Sequence, residues 1–139
     1  MAQCMRVEFF AAGKPEPQGS TRAFMVGDKP VITSTNKALR PWREVIGWEA
    51  RRVHTGPPLD DAVCIMATFI LPRPKSVKRK QPTVKPDLDK LIRGLLDALS
   101  GVLYADDAIV VSVAAAKVYE DPSNERLSRI GVRVIVVTA

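Results

Sequence analysis

Histidine is almost missing from this chain: 139 residues contain one, His54, alongside only two cysteines, Cys4 and Cys64. A nucleophilic dyad or triad needs a base beside its nucleophile, and a structural zinc site needs clustered Cys and His ligands. His54 falls at the end of a predicted helix and reads as a surface residue. The cysteines fall in separate predicted strands, with neither zinc spacing nor a disulfide framework, and read as buried free thiols. Long apolar runs are missing too: none approaches the roughly 18 residues of a membrane span. The start "MAQCMRVEFF" lacks the basic-then-apolar pattern of a signal peptide. A cytoplasmic protein without a membrane partner is expected. Acids are in the minority, 15 Asp+Glu against 21 Lys+Arg, for a net charge of +6 and a pI near 9.6. That balance favours a polyanionic partner, nucleic acid first.

What is present fits one soluble domain over residues 1–139, with 46% apolar and 26% charged residues and enough length for a real core. "RVEFFA" reads as a strand. The Gly/Pro-rich "GKPEPQGSTRAF" reads as a loop, and "AFMVGDKPVIT" as a hairpin turning at Gly27-Asp28. In "TNKALRPWREVIGWEARRV", Trp42, Val45, Ile46, Ala50 and Val53 fall at helical spacing, while Arg40, Arg43, Arg51 and Arg52 lie mostly off that face. Pro41 suits a helix starting there. "DAVCIMATFIL" is apolar on both alternating faces, the pattern of a central strand. A second helix is predicted from Leu88 to Ser100, with Leu91, Ile92, Leu95, Leu96 and Leu99 buried and Gly101 as its stop. "AIVVSVAAAKVYE" and "RIGVRVIVV" read as two more strands around the turn-rich "DPSNE". The fold class is α+β: a single-domain mixed β-sheet with two main helices packed on it.

Between the central strand and the second helix, residues 72–86 hold four prolines and six Lys/Arg with no acid. Such a segment forms neither helix nor central strand, and a loop of this length in a small domain is expected to be flexible and functional. Its charges, Arg73, Lys75, Lys78, Arg79, Lys80 and Lys85, are candidate DNA contacts. So are Lys14 and Arg22 in the basic opening segment, and Lys90.

Directly after this loop the scarce acids concentrate. Residues 84–111 hold Asp87, Asp89, Asp97, Asp106 and Asp107. Taken separately, Asp87 suits a helix N-cap, Asp89 the first turn, and Asp106-Asp107 a helix-to-strand turn. Taken together, they can hold a metal. The residue before Pro86 is biased to extended backbone, so the chain turns helical at Asp87, where Asp87 and Asp89 can converge. Asp107 joins them only if "SGVLYADD" runs back toward the helix start. Carboxylate oxygens suit Mg²⁺, with Mn²⁺ as a substitute, and such a metal assists phosphodiester hydrolysis.

"KPDLDKLIRGLLDALSGVLYADDAIV" closely resembles the signature of the RusA family of Holliday junction resolvases, and "GKPEPQGSTRAF" resembles that family's basic opening segment. The similarity covers roughly the whole chain. It implies a RusA-like fold and a homodimeric, Mg²⁺-dependent crossover junction endonuclease that makes paired nicks in four-way DNA junctions during recombination and repair. Many such relatives are phage- or prophage-encoded. By this resemblance Asp87, Asp89 and Asp107 are the catalytic, metal-binding acids, with Asp106 as acidic neighbour. Where the family can carry a catalytic lysine, this chain has Arg93. Arginine keeps its proton, so its expected role is to hold phosphate or stabilise charge in the transition state; the competing role is an i,i+4 ion pair with Asp97. Lys90 is an adjacent substitute. Two other functions also fit the residues: a less selective nuclease for flaps or other branched DNA, and a non-catalytic DNA-binding module whose acids only cap and turn.

Overall fold

The alternation in "RVEFFAA" puts Val7, Phe9 and Ala11 on one side of strand β1 (Arg6–Ala12), and all three are buried. The same period of two buries Val63, Ile65, Ala67 and Phe69 of β4 (Val63–Leu71) and Val132, Val134 and Val136 of β6 (Gly131–Thr138). These side chains line one face of a mixed sheet that also includes β5 (Val110–Tyr119), in the order β1-β6-β4-β5. The β1–β6 and β6–β4 pairs are antiparallel and β4–β5 is parallel. A parallel neighbour needs a crossover; here it is made by α2 (Leu88–Leu99). The computed structural model describes residues 4–19, 21–34 and 36–138, without the side chains of 21–24 and 32–34. The single-domain α+β architecture is the one expected.

Helix α1 (Leu39–Val53) and α2 cover the buried sheet face. Trp42, Ile46 and Ala50 from the first, and Leu91, Leu95, Ala98 and Leu99 from the second, complete one core with the strands. The hairpin is β2 (Thr21–Val26) with β3 (Lys29–Ser34), turning at Gly27-Asp28 with Gly27 at φ 62°. Three expectations need correction. Val45 and Val53 are exposed, because α1 rotates its stripe toward Leu39 and Gly47 to meet both β1 and α2. Within α2, Ile92 and Leu96 are only partly buried, while Gly94 and Ala98 sit inside. Both cysteines are free, but Cys4 is exposed ahead of β1 and Cys64 is half-buried on the uncovered sheet face.

Gly131 opens β6 at φ 151° where the strand passes β1. A Cβ there would sit on the Ala11 carbonyl oxygen and 2.7 Å from Phe10 Cζ. Backbone strain and overpacking therefore add at one residue. Gly131→Ala is expected to cost about 3 kcal/mol and lower the melting temperature by about 10 °C. Thermal unfolding followed by circular dichroism checks this, and an unchanged midpoint refutes it.

Candidate active site

Asp87 occupies the N-cap position of α2 with extended backbone (φ −70°, ψ 138°), the usual geometry of that position. Its carbonyl accepts from Leu91 N at 3.1 Å. Its side chain makes no capping hydrogen bond; its nearest cation is Lys90 Nζ, 4.0 Å from Oδ2, and both side chains are about half exposed. Asp89 follows in the first turn, also exposed. The helix start thus has two carboxylates that its own capping does not use.

At the other end, Ser100 and Gly101 (φ 82°) turn the chain, and Gly101 N donates to Tyr104 O at 2.7 Å. Leu103 and Tyr104 are wholly buried, and the Tyr104 hydroxyl donates to Leu96 O at 3.3 Å. This pins the return segment against the later turns of α2. Asp106 then caps a short 3-10 turn (Asp107–Ile109) by accepting from Ala108 N at 3.0 Å. The adjacent acids divide the work: Asp106 serves the turn, and Asp107 stands exposed beside it. The Asp107 carboxyl is raised above its usual value, first by a side-chain hydrogen bond with Asp106. Desolvation and the negative charges of Asp106 and Asp97 add to this, and Arg93 acts the other way. Tyr104 is raised as well, by burial and then by Asp107 and Asp97.

Asp107 therefore returns to the stretch of α2 that carries Arg93 and Asp97. Arg93 is exposed and forms no ion pair with Asp97 among the described residues, which leaves its guanidinium in the field of Asp107. Among the described residues, no three His, Cys, Asp or Glu side chains are grouped closely enough to hold a metal by themselves. The acids instead form two sets along one helix, exposed Asp87/Asp89 at its start and exposed Asp106/Asp107 with half-buried Asp97 farther on. This donor set still suits Mg²⁺, which keeps several waters and is bound through one or two carboxylates plus substrate phosphates rather than in an all-protein cage.

The basic residues come from three stretches of chain. Residues 13–19 lie across α2: Gln18 N donates to Lys90 O at 3.0 Å, and a Cβ on Gly94 would come within 3.4 Å of Glu16 O. Asn36 fastens this segment to the start of α1 through its bond to Pro17 O at 2.8 Å. The result is a cleft of about 380 Å³ lined by Lys14, Lys85, Lys90 and Asp87. In the loop 72–86, Arg73 and Arg79 work partly inside the protein. Arg73 Nη1 donates to Arg79 O at 3.0 Å, Arg79 Nε donates to the Tyr119 hydroxyl at 2.9 Å, and both guanidinium groups lie over the Tyr119 ring. Lys117 Nζ donates to Val84 O and Pro86 O at 2.8 and 2.9 Å, tying the end of the loop to β5. Tyr119 and Lys117 had no signal in the sequence, where they read as ordinary strand residues. Lys75, Lys78 and Lys80 are exposed and have no hydrogen bond or ion pair among the described residues. Arg22 lies in β2, and its side chain is outside the described residues. The His54 ring bonds Pro57 O at 2.9 Å, away from the acids. No helix among the described residues is long and apolar enough to cross a membrane.

The sequence model of the family described as "Endodeoxyribonuclease RusA" matches residues 12–134. The Bacillus subtilis (strain 168) protein named "Uncharacterized protein YqaN" is 29% identical over 140 residues, an alignment covering 88% of this chain and 95% of that protein.

Proposed function

Because this chain belongs to the RusA endodeoxyribonuclease family, we propose that it is a divalent-metal-dependent endonuclease that resolves four-way DNA junctions by paired symmetric nicks. The observation that carries this reading is the exposed carboxylate of Asp87, which makes no capping bond to its own helix and lines a cleft with Lys14, Lys85 and Lys90. If the acids only capped and turned, Asp87 would be bonded to its helix. It is not.

Asp87, Asp89 and Asp107 would hold Mg²⁺ together with phosphate oxygens of the substrate, and Asp106 and Asp97 add the negative charge that favours a cation there. When bound, the metal activates water and stabilises the leaving oxygen in phosphodiester hydrolysis. The chain's own residues supply position and charge. Lys14, Lys85 and Lys90 draw the backbone phosphates into the cleft, and Arg93 offers an exposed guanidinium to the charge that grows on the phosphate. One domain has acids for one site, so cutting two strands related by a two-fold axis calls for a symmetric homodimer. The deciding experiment incubates the protein with a four-way junction, a flap and a linear duplex, with and without Mg²⁺. Paired nicks in the junction are expected. Equal cutting of flaps makes the protein a general branched-DNA nuclease, and no metal-dependent cutting refutes the proposal.

The loop lysines provide a separate test. Replacing Lys75, Lys78 and Lys80 with Ala, and leaving Arg79 to anchor the loop on Tyr119, should weaken junction binding and flatten its salt dependence. Each lost phosphate contact lowers the log–log slope by about 0.9 for duplex DNA. Affinities measured across a salt series give the slope, and an unchanged slope shows that these lysines only solvate the loop.

A further inference from the structure

Trp48 is 67% exposed on α1, whereas the chain's other tryptophan, Trp42, is 4% exposed in the core. It lines a groove of about 690 Å³ between α1 and α2, together with Arg40, Arg43, Arg51, Gln18 and Asp97. Arg40 pairs with Glu44 at 3.4 Å, but Arg43 and Arg51 have no ion pair among the described residues. An open indole beside unpaired guanidinium groups is the combination that binds unpaired nucleic acid: the ring stacks on a base and the arginines hold the flanking phosphates.

Two connections place this groove on the path of the same substrate. Gln18 lines both the groove and the Lys14/Lys85/Lys90 cleft, so the two depressions are neighbours that share one wall residue. Asp97 lines the groove and is also an electrostatic neighbour of Asp107. A second copy of the chain fits this patch poorly. A two-fold contact apposes a patch to itself, setting arginines against arginines, while the apolar uncovered face of the sheet lies elsewhere. We infer that the α1–α2 groove is a second nucleic-acid site, in which Trp48 stacks on a base left unpaired at the branch point and Arg43 and Arg51 clamp its phosphates. This inference rests on the junction-binding reading above.

Tryptophan emission tests it, because only Trp48 is accessible. The full chain is titrated in metal-free buffer with a four-way junction, and separately with a linear duplex. Junction binding should quench emission in the wild type and not in Trp48→Phe, and the fully paired duplex should not quench it. Trp48→Ala should weaken junction binding about tenfold, or about 1.4 kcal/mol, within the range for one base–aromatic stack. Trp48→Phe should keep most of the affinity, and Arg51→Gln should lower the salt slope by about 0.7 to 0.9. Junction binding without quenching, and with full affinity in Trp48→Ala, overturns this inference and leaves the resolvase reading standing. Loss of dimer in Trp48→Ala by sedimentation also overturns it, assigning the groove to subunit contact. A wild-type protein that binds no junction defeats both readings.

Discussion

Asn in place of Asp87, Asp89 or Asp107 is expected to abolish metal-dependent nicking while leaving junction affinity intact or improved. Each change keeps the shape and removes the charge that a hard cation needs. The same change removes repulsion between a carboxylate and the phosphates, so binding should not suffer. The loss should reach at least about a hundredfold in each case, the scale for removing one group that stabilises charge in a transition state. Folding should survive, because none of the three side chains makes a capping bond and all are exposed. Asp106→Asn and Asp97→Asn should cost only about tenfold, as supporting groups around a metal do. Asn at 106 can still accept from Ala108 N, so the turn that presents Asp107 is kept. Cleavage of an end-labelled junction, beside a gel-shift assay without metal, separates the two effects. Wild-type nicking by any one of the three variants removes that residue from the site.

The parts of this site that could be read in the sequence are those set by neighbours along the chain. Pro86 biases the backbone before it, so the extended-to-helical change at Asp87 was visible. The Gly27-Asp28 turn and the Gly101 stop were visible for the same reason: each is a local backbone demand. The return of Asp107 is different. The Tyr104 hydroxyl bonds Leu96 O, and that contact sets how far along α2 the chain comes back. Nothing in "SGVLYADD" states that distance. The Arg93–Asp97 pairing that helical spacing offers is not made among the described residues, and Arg93 acts electrostatically on Asp107, which reaches it only through the fold. The bracing of the basic loop also depends on a distant partner, Tyr119, 40 residues from Arg79. Helix α1 shows the same limit. Its period was readable, but its rotation answers two surfaces at once, and so Val45 and Val53 ended outside.

Two lysines on the uncovered face of the sheet, in Met66→Lys/Ala114→Lys, should turn a dimer into a monomer and convert paired cutting into single nicks. Both helices pack on the face that carries Ile65 and Val134, so the opposite face has no helix over it. On β4 and β5 that opposite face presents Cys64, Met66, Thr68, Ser112, Ala114 and Ala116, with Ile135 and Val137 from β6 beside them. Met66 is 44% exposed, and Ala114 and Ala116 are exposed as well. The charged residues of this face stand on its β1–β6 side: Arg6 and Glu8 on β1, Glu8 in the row of Ile135 and Met66, and Arg133 on β6 beside Thr68. Apolar surface of this kind, made of small and medium side chains, lets a second sheet pack about 10 Å away. β5 adds an edge with a single charge, Lys117, and a bulge that leaves Val111 64% exposed. An uncovered edge of that composition calls for a partner. Packing this face against its copy would bury the new lysines on apolar surface, and unpaired charge at a contact should weaken the dimer by about 10²- to 10³-fold. Neither position is buried, so the fold should hold. Sedimentation at micromolar concentration reads the assembly, and a supercoiled cruciform plasmid reads the cutting: paired incision gives linear product, a lone nick an open circle. A variant that stays dimeric moves the interface off this face. A monomer that still linearises the plasmid refutes paired cutting by a symmetric dimer.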